Sequence, residues 1–345
     1  MKSLSTISAA IGAIVGVALA AGVTVKPAHA QDTERAIYEA AKKEGKLVYW
    51  GSPDNKTARA LTDRFNQLYP GIQVEIFKIQ PAPAIERIIT AANAGRHEVD
   101  IVDSQLGYVK LLLDRGMLQA YPWEKNLGID PERILYDNKA IVGWHLDTPL
   151  AYNTNLVKAG ELKSWDDALN PKWSGKLIVE ARGFMFAVLA GAWGEQKAFD
   201  YLKKIMANKP IITKGGTNTI EALAGGQGAI AFGAYGGILQ QYTDQGAPVD
   251  WVRLGPIPAQ IAVLLPLKDA PHPNASKLWI KFFTSPEGQE ILYKAQGLDT
   301  VRGRDMGPLG QRYKAAHLDT VMELTDAEKM RTLVAKAGSI IGALK

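Results

Sequence analysis

The sequence predicts an α/β protein of two lobes, each a mixed, mostly parallel sheet flanked by helices, with the lobes joined by extended hinge strands. Three observations point there. Apolar segments of alternating or unbroken pattern take turns with segments of helical period, first between Lys46 and Ser104 and again between Lys176 and Gly233. The chain has 345 residues, long enough for about two domains once a leader is removed. Extended stretches at Pro149–Asn153 and Ala259–Leu265 stand where the two units meet.

The leader is read from residues 1–30. Lys2 precedes an apolar run from Ile7 to Val25, and Ala28-His29-Ala30 has the small-x-small pattern of a signal-peptidase site, so export to the periplasm and a mature start at Gln31 are expected. A retained anchor is the rival, but the run is rich in Ala and Gly and ends at that pattern. The chain has no cysteine, so neither a lipid-bearing Cys nor a disulfide is available, and the fold must rest on its core. With the two leader lysines removed, the 40 basic and 35 acidic residues leave a net charge of +3. No run of five like charges occurs, which argues against a nucleic-acid partner.

After a helix over Glu34–Lys43, "KLVYW" is a short buried strand stopped by Gly51-Ser52-Pro53. Ala58, Leu61, Phe65 and Leu68 recur at helical spacing until Pro70-Gly71. "IQVEIF" alternates as a strand, Ile85, Ile88, Ile89 and Ala92 mark a helix, and "VDIVDS" is the next strand, completing a βαβαβ unit. The second unit runs from "KLIVEARG" through the helices "FMFAVLAGAWG" and "AFDYLKKIMA". The strand and loop "PIITKGGTNT", the helix "IEALAGG" and a strand over Ala229–Gly233 complete it.

Open α/β sheets bind ligands beyond the carboxyl ends of their strands, where helices begin. This chain places there Ser52, Ser104 and Gln105 from the first lobe, and Arg182, the loop Gly215–Thr219 with Thr217, and Tyr235 from the second. These are hydrogen-bond donors suited to an acceptor-rich ligand, helped by helix N-terminal amides, with Gly51, Gly183 and Gly216 admitting close backbone approach. Each has a structural alternative: Ser52 and Thr217 as helix caps, Arg182 paired with a surface carboxylate, Tyr235 as a core residue. Trp50 and Trp144 either stack on a ring of the ligand or fill the lobe cores.

Enzyme chemistry finds no support. The histidines of the mature chain, His97, His145, His272 and His317, form no zinc-binding pair, and no Gly-x-Ser-x-Gly elbow or phosphate loop is present. Asp100 and Asp103 bracket a strand and are read as structural. No catalytic residue, resident metal or cofactor is expected.

"FNQLYPGIQVEI", "EVDIVDS", "LLLDRGMLQAY", "PLAYNTNLV", "SWDDALNPKWSGKL" and "ASKLWIKFFTSPEGQEIL", in this order, resemble the periplasmic solute-binding proteins of bacterial ABC transporters. The likeness is to the ferric-ion, thiamine, phosphonate and polyamine types. It implies a two-lobed clamp, acting as a monomer, that closes on a small solute and delivers it to an inner-membrane permease. It also implies that the chain crosses between lobes more than once, with residues 31–148 and 262–308 in lobe 1 and residues 149–261 and 309–345 in lobe 2. Ferric-ion binders of this family place two adjacent tyrosines where this chain has Ala234-Tyr235. Their histidine aligns with Pro53 and their acidic ligand with Gln105. The expected solute is therefore a small organic anion, a phosphonate, phosphate ester or carboxylate. The alternatives are ferric iron on Tyr235 with exogenous anions, and a periplasmic ligand sensor. A cationic solute is disfavoured because no acidic cluster stands at the strand ends.

Overall fold

The computed structural model describes residues 28–158, 160–304 and 306–342. Most of the leader read at residues 1–30 lies outside the described residues.

Helix α1 (Ala28–Glu44) leads into β1 (Lys46–Gly51). The βαβαβ unit continues with α2 (Asn55–Leu68), β2 (Gln73–Lys78), α3 (Pro81–Asn93) and β3 (Ile101–Gln105), with β1 paired in parallel to both β2 and β3. Helix α2 begins where the Asp54 carboxylate accepts the Thr57 N–H at 2.8 Å, and it buries Thr57, Leu61 and Phe65 at intervals of four. There follow α4 (Leu106–Leu113), α5 (Trp123–Leu127), β4 (Ile134–Leu135) and β5 (Ala140–Asp147).

The chain then enters a second sheet through β6 (Ala151–Asn153). It continues as β7 (Leu177–Glu180), α6 (Phe184–Trp193), α7 (Glu195–Ala207), β8 (Ile211–Thr213) and α8 (Gly216–Ala224). β9 (Ile230–Phe232), α9 (Gly236–Asp244) and β10 (Val249–Trp251) complete the unit. The strand order is β10-β6-β9-β7-β8, with β9, β7 and β8 mutually parallel. The chain returns to the first sheet as β11 (Ile257–Pro266), followed by α10 (Pro273–Phe283), α11 (Pro286–Gln296), α12 (Pro308–Ala315), β12 (Thr320–Met322) and α13 (Ala327–Gly342). The first sheet is ordered β2-β1-β3-β11-β5-β4, and β12 pairs with the start of β11. The architecture is the two-lobed, mixed α/β one that the sequence predicts.

Strand β1 shows why the first sheet is covered on both faces. Leu47 and Tyr49 point into one core with Phe65, Trp279 and Phe283, while Val48 and Trp50 point into another with Ile85, Val102 and Val263. Trp50 and Trp144 are both core residues, the first beneath the guanidinium of Arg87 and the second against Phe283.

The structure redraws the crossings. Ala259–Leu265, read as a hinge strand, lies inside β11, hydrogen-bonded along most of its length to β3 on one side and β5 on the other. Its apolar run is that of a central strand buried on both faces, and the boundary drawn at residue 262 falls within it. At Pro149–Asn153 the crossing itself is residues 148–150, because Ala151–Asn153 is already β6. The segment from residue 309 touches both lobes: Tyr313 of α12 packs edge-on to Trp251, β12 extends the first sheet, and α13 packs on α6, α7 and α4.

Candidate functional site

In the second lobe β7 lies between β9 and β8, and all three strands end on the same edge. Each feeds a helix there: β7 into α6 through Arg182 and Gly183, β8 into α8 through Gly215, β9 into α9 through Tyr235. None of these three helices has a side-chain cap, and none carries an acidic residue in its first turn. Three helix N-termini therefore bring their partial positive charge to one edge.

At the centre of that edge stands Glu180, the last residue of β7 and only 5% exposed. Its carboxylate accepts the Arg182 Nε–H at 2.9 Å, the Arg182 backbone N–H at 3.2 Å and the Gly215 N–H at 3.1 Å. Arg182 is thereby held in an exposed position, and its Nη2 donates to the Tyr235 hydroxyl at 2.6 Å. A guanidinium has no acceptor, so the tyrosine oxygen accepts here and keeps its own proton for a third group. The half-buried ring of Tyr235 lies on Gly216, where an added Cβ would come within 2.5 Å of it. Gly233, at φ +92, lets the chain turn against Glu180 just before the tyrosine.

Between the lobes lies a chamber of about 1120 Å³ whose wall includes Gln105, Glu180, Arg182, Tyr235 and Glu323. Of the residues selected from sequence, the structure brings together Gln105, Arg182 and Tyr235. Gln105 is exposed at the start of α4 with no capping bond from its side chain.

The other three are placed differently. The Ser52 hydroxyl donates to Asp103 at 2.8 Å, and the same carboxylate accepts the Ser52 N–H and the Tyr49 hydroxyl. Burial pushes the Asp103 carboxyl up to about 6, with those bonds working in the opposite direction. Ser104 is 2% exposed and donates to the Gln105 carbonyl at 3.1 Å. Thr217 is exposed, in the first turn of α8; the segment read as a loop is helical from Gly216. Neither Ser52 nor Thr217 is a helix cap, since Asp54 caps α2 and Gly215 precedes α8. The space beside Gly51, Gly183 and Gly216 is filled by protein, namely Asp103 with Tyr49, Ala337, and the ring of Tyr235. Arg182 pairs with a buried carboxylate rather than the surface one considered from sequence.

Sequence reasoning missed Glu180 and Glu323. Glu180 carries a signal, being an acid closing an apolar strand, but the donors it gathers are invisible in the sequence. Glu323 accepts the Ile261 N–H at 2.6 Å across 62 residues of chain, and nothing local marks it.

Residues 60–302 match the bacterial extracellular solute-binding proteins. The chain belongs to this family. Membership of a solute-binding family implies a small-molecule ligand, and the fold is shared with solved binding proteins. The chain is 29% identical over 287 residues to an uncharacterised protein of Haemophilus influenzae, covering 75% of this chain and 78% of that one. Iron-bound HitA from Pseudomonas aeruginosa shares the fold with a TM-score of 0.68 and 19% identity over 85% of this chain and 99% of the other. AfuA from Actinobacillus pleuropneumoniae, with exogenous fructose-6-phosphate bound, does so with a TM-score of 0.56 and 24% identity over 74% and 83%. Among the described residues of the solute-binding protein, no group of three or more His, Asp or Glu is disposed to hold a metal ion, and no helix is long and apolar enough to cross a membrane.

Proposed function

We propose that this protein binds a small organic anion, a phosphonate, phosphate ester or carboxylate, between its lobes in the periplasm and delivers it to the permease. The observation that carries this reading is the Arg182–Tyr235 pair, held by Glu180 where three uncapped helix N-termini meet. An oxyanion on that edge receives a guanidinium N–H and the phenolic O–H, donors fixed in place before it arrives, beside the first turn of α6 on the same wall. Gln105 approaches from the first lobe. Closure turns on the crossings at residues 148–150 and 252–256. The AfuA complex supports a phosphate ester as one member of the class.

Iron is the rival, because HitA carries it. A guanidinium 2.6 Å from the phenolic oxygen repels a trivalent cation, and the neighbouring position is Ala234. Titration calorimetry with inorganic phosphate, alkyl phosphonates, hexose phosphates, small carboxylates and ferric citrate tests the reading. At least one anion binds, and ferric citrate leaves the protein colourless. A coloured protein with stoichiometric iron, bleached by Tyr235→Phe, overturns it. Mass spectrometry of periplasmic protein should find Gln31 at the N-terminus.

A further inference from the structure

We propose that the solute carries, besides its anionic group, an N–H or O–H donor that the carboxylate of Glu323 accepts. The proposal rests on the anion reading of the Arg182–Tyr235 edge and adds a second point of recognition at the C-terminal wall of the same chamber.

Size is the first argument. At about 1120 Å³ the chamber exceeds the roughly 300 to 1,000 Å³ of pockets that hold organic ligands. An oxyanion on Arg182 and Tyr235 leaves room in it for a solute with a larger body.

The second argument is the state of the charged groups lining it. Lys110 and Asp114 pair with each other at 2.8 Å, and Glu180 is engaged by Arg182. Asp326 accepts the N–H groups of Glu328 and Lys329 at the start of α13. Glu328 and Arg331 are exposed. Glu323 is buried like Glu180, 6% exposed, but among the described residues no cation pairs with it. One oxygen accepts the Ile261 N–H, which lies on the edge of β11 between the end of its pairing with β12 and the start of its pairing with β3. Its other oxygen has no protein donor among the described residues. A carboxyl on the wall of a chamber, with one oxygen that makes no protein hydrogen bond and only the Tyr136 phenol as a polar neighbour on that wall, can accept from a solute donor. Burial also pushes the Glu323 carboxyl up to about 7, and a donor from the solute would favour its ionised form.

Three phosphates of similar length provide the test by titration calorimetry: a straight-chain alkyl phosphate without donors, a hexose 6-phosphate, and an ω-aminoalkyl phosphate. At least one donor-bearing phosphate should bind the unaltered protein tenfold or more tightly than the alkyl phosphate. Glu323→Ala should erase that preference. Glu323→Gln keeps an acceptor for Ile261 and for a hydroxyl but loses the charge, so it retains a preference for the hexose phosphate and abolishes one for the amine, which tells the two donors apart. Equal affinity of all three phosphates, or a preference that survives in Glu323→Ala, overturns the proposal while the anion reading stands. Failure of all three to bind, with Arg182→Gln also without effect on any anion, removes the anion reading and this proposal with it.

Discussion

Replacing Tyr235 by Phe removes one oxygen and leaves the ring on Gly216. In the free protein the Nη2 group of Arg182 loses its 2.6 Å partner, but Arg182 is exposed, so water replaces it, and Glu180 still holds Nε and the backbone N–H. Stability should change by no more than about 0.5 kcal/mol, as for other surface substitutions. In the complex the solute loses a hydroxyl donor to a charged oxygen, worth about 1.5 to 3 kcal/mol. The dissociation constant for an anion that binds the unaltered protein should therefore rise by roughly 10- to 150-fold. Titration calorimetry reads that change directly, and a thermal melt serves as the fold control. Because Arg182 and Tyr235 touch, the double variant with Arg182→Gln should lose less than the sum of the two single losses. A dissociation constant within twofold of the original, with a normal melt, refutes the assignment of Tyr235 as a donor to the solute.

Glu180→Gln leaves one acceptor oxygen and one amide donor where three N–H groups converge, so it should weaken anion binding by on the order of tenfold and lower the melting temperature by several degrees; an unaltered affinity and melt would remove Glu180 from the site. Stability should also rise on acidification from pH 7.5 to 5.5. Burial pushes Asp103 and Asp147 up to about 6, and Asp299 and Glu323 up to about 7. In this window the folded chain keeps protons that the unfolded chain has released, and their contribution is lost as pH rises through 6 to 7. His145, driven down to about 3 by burial, acts in the opposite sense because the unfolded chain protonates it below about 6.5, but it is one group against four. Urea midpoints at the two pH values check the sign, and a lower midpoint at pH 5.5 contradicts it.

The alternation of strand and helix was legible wherever the apolar period changed from two to nearly four and proline or glycine marked the change, as at Pro70-Gly71. β5 was not, and β11 was read only in part, as the hinge strand Ala259–Leu265. Their runs "AIVGWHLD" and "IPAQIAVLLP" are buried on both faces, so no alternation reveals them, and their pairing joins segments more than a hundred residues apart. The strand-end rule located Arg182, Tyr235 and Gln105 because topology alone brings those positions to the cleft. It cannot tell whether a donor found there already has a partner, which is why Ser52, bound to Asp103, looked the same in sequence as Tyr235.

Asp103 and Glu180 occupy similar places, each a buried carboxylate near the carboxyl end of a strand, Asp103 accepting the Ser52 N–H from the turn after β1 and Glu180 the N–H groups of Arg182 and Gly215. Their consequences differ. Asp103 takes up the donors around it, the hydroxyls of Tyr49 and Ser52, and turns that edge of the first lobe inward. Glu180 takes the near side of a guanidinium and leaves the far side exposed, so its charge orients a cation toward the chamber instead of cancelling a site. The same element, a carboxylate at a strand end, thus closes one lobe and arms the other. On the proposed reading an anion meets its donors on the second lobe first, and the first lobe completes the enclosure by closing with Gln105.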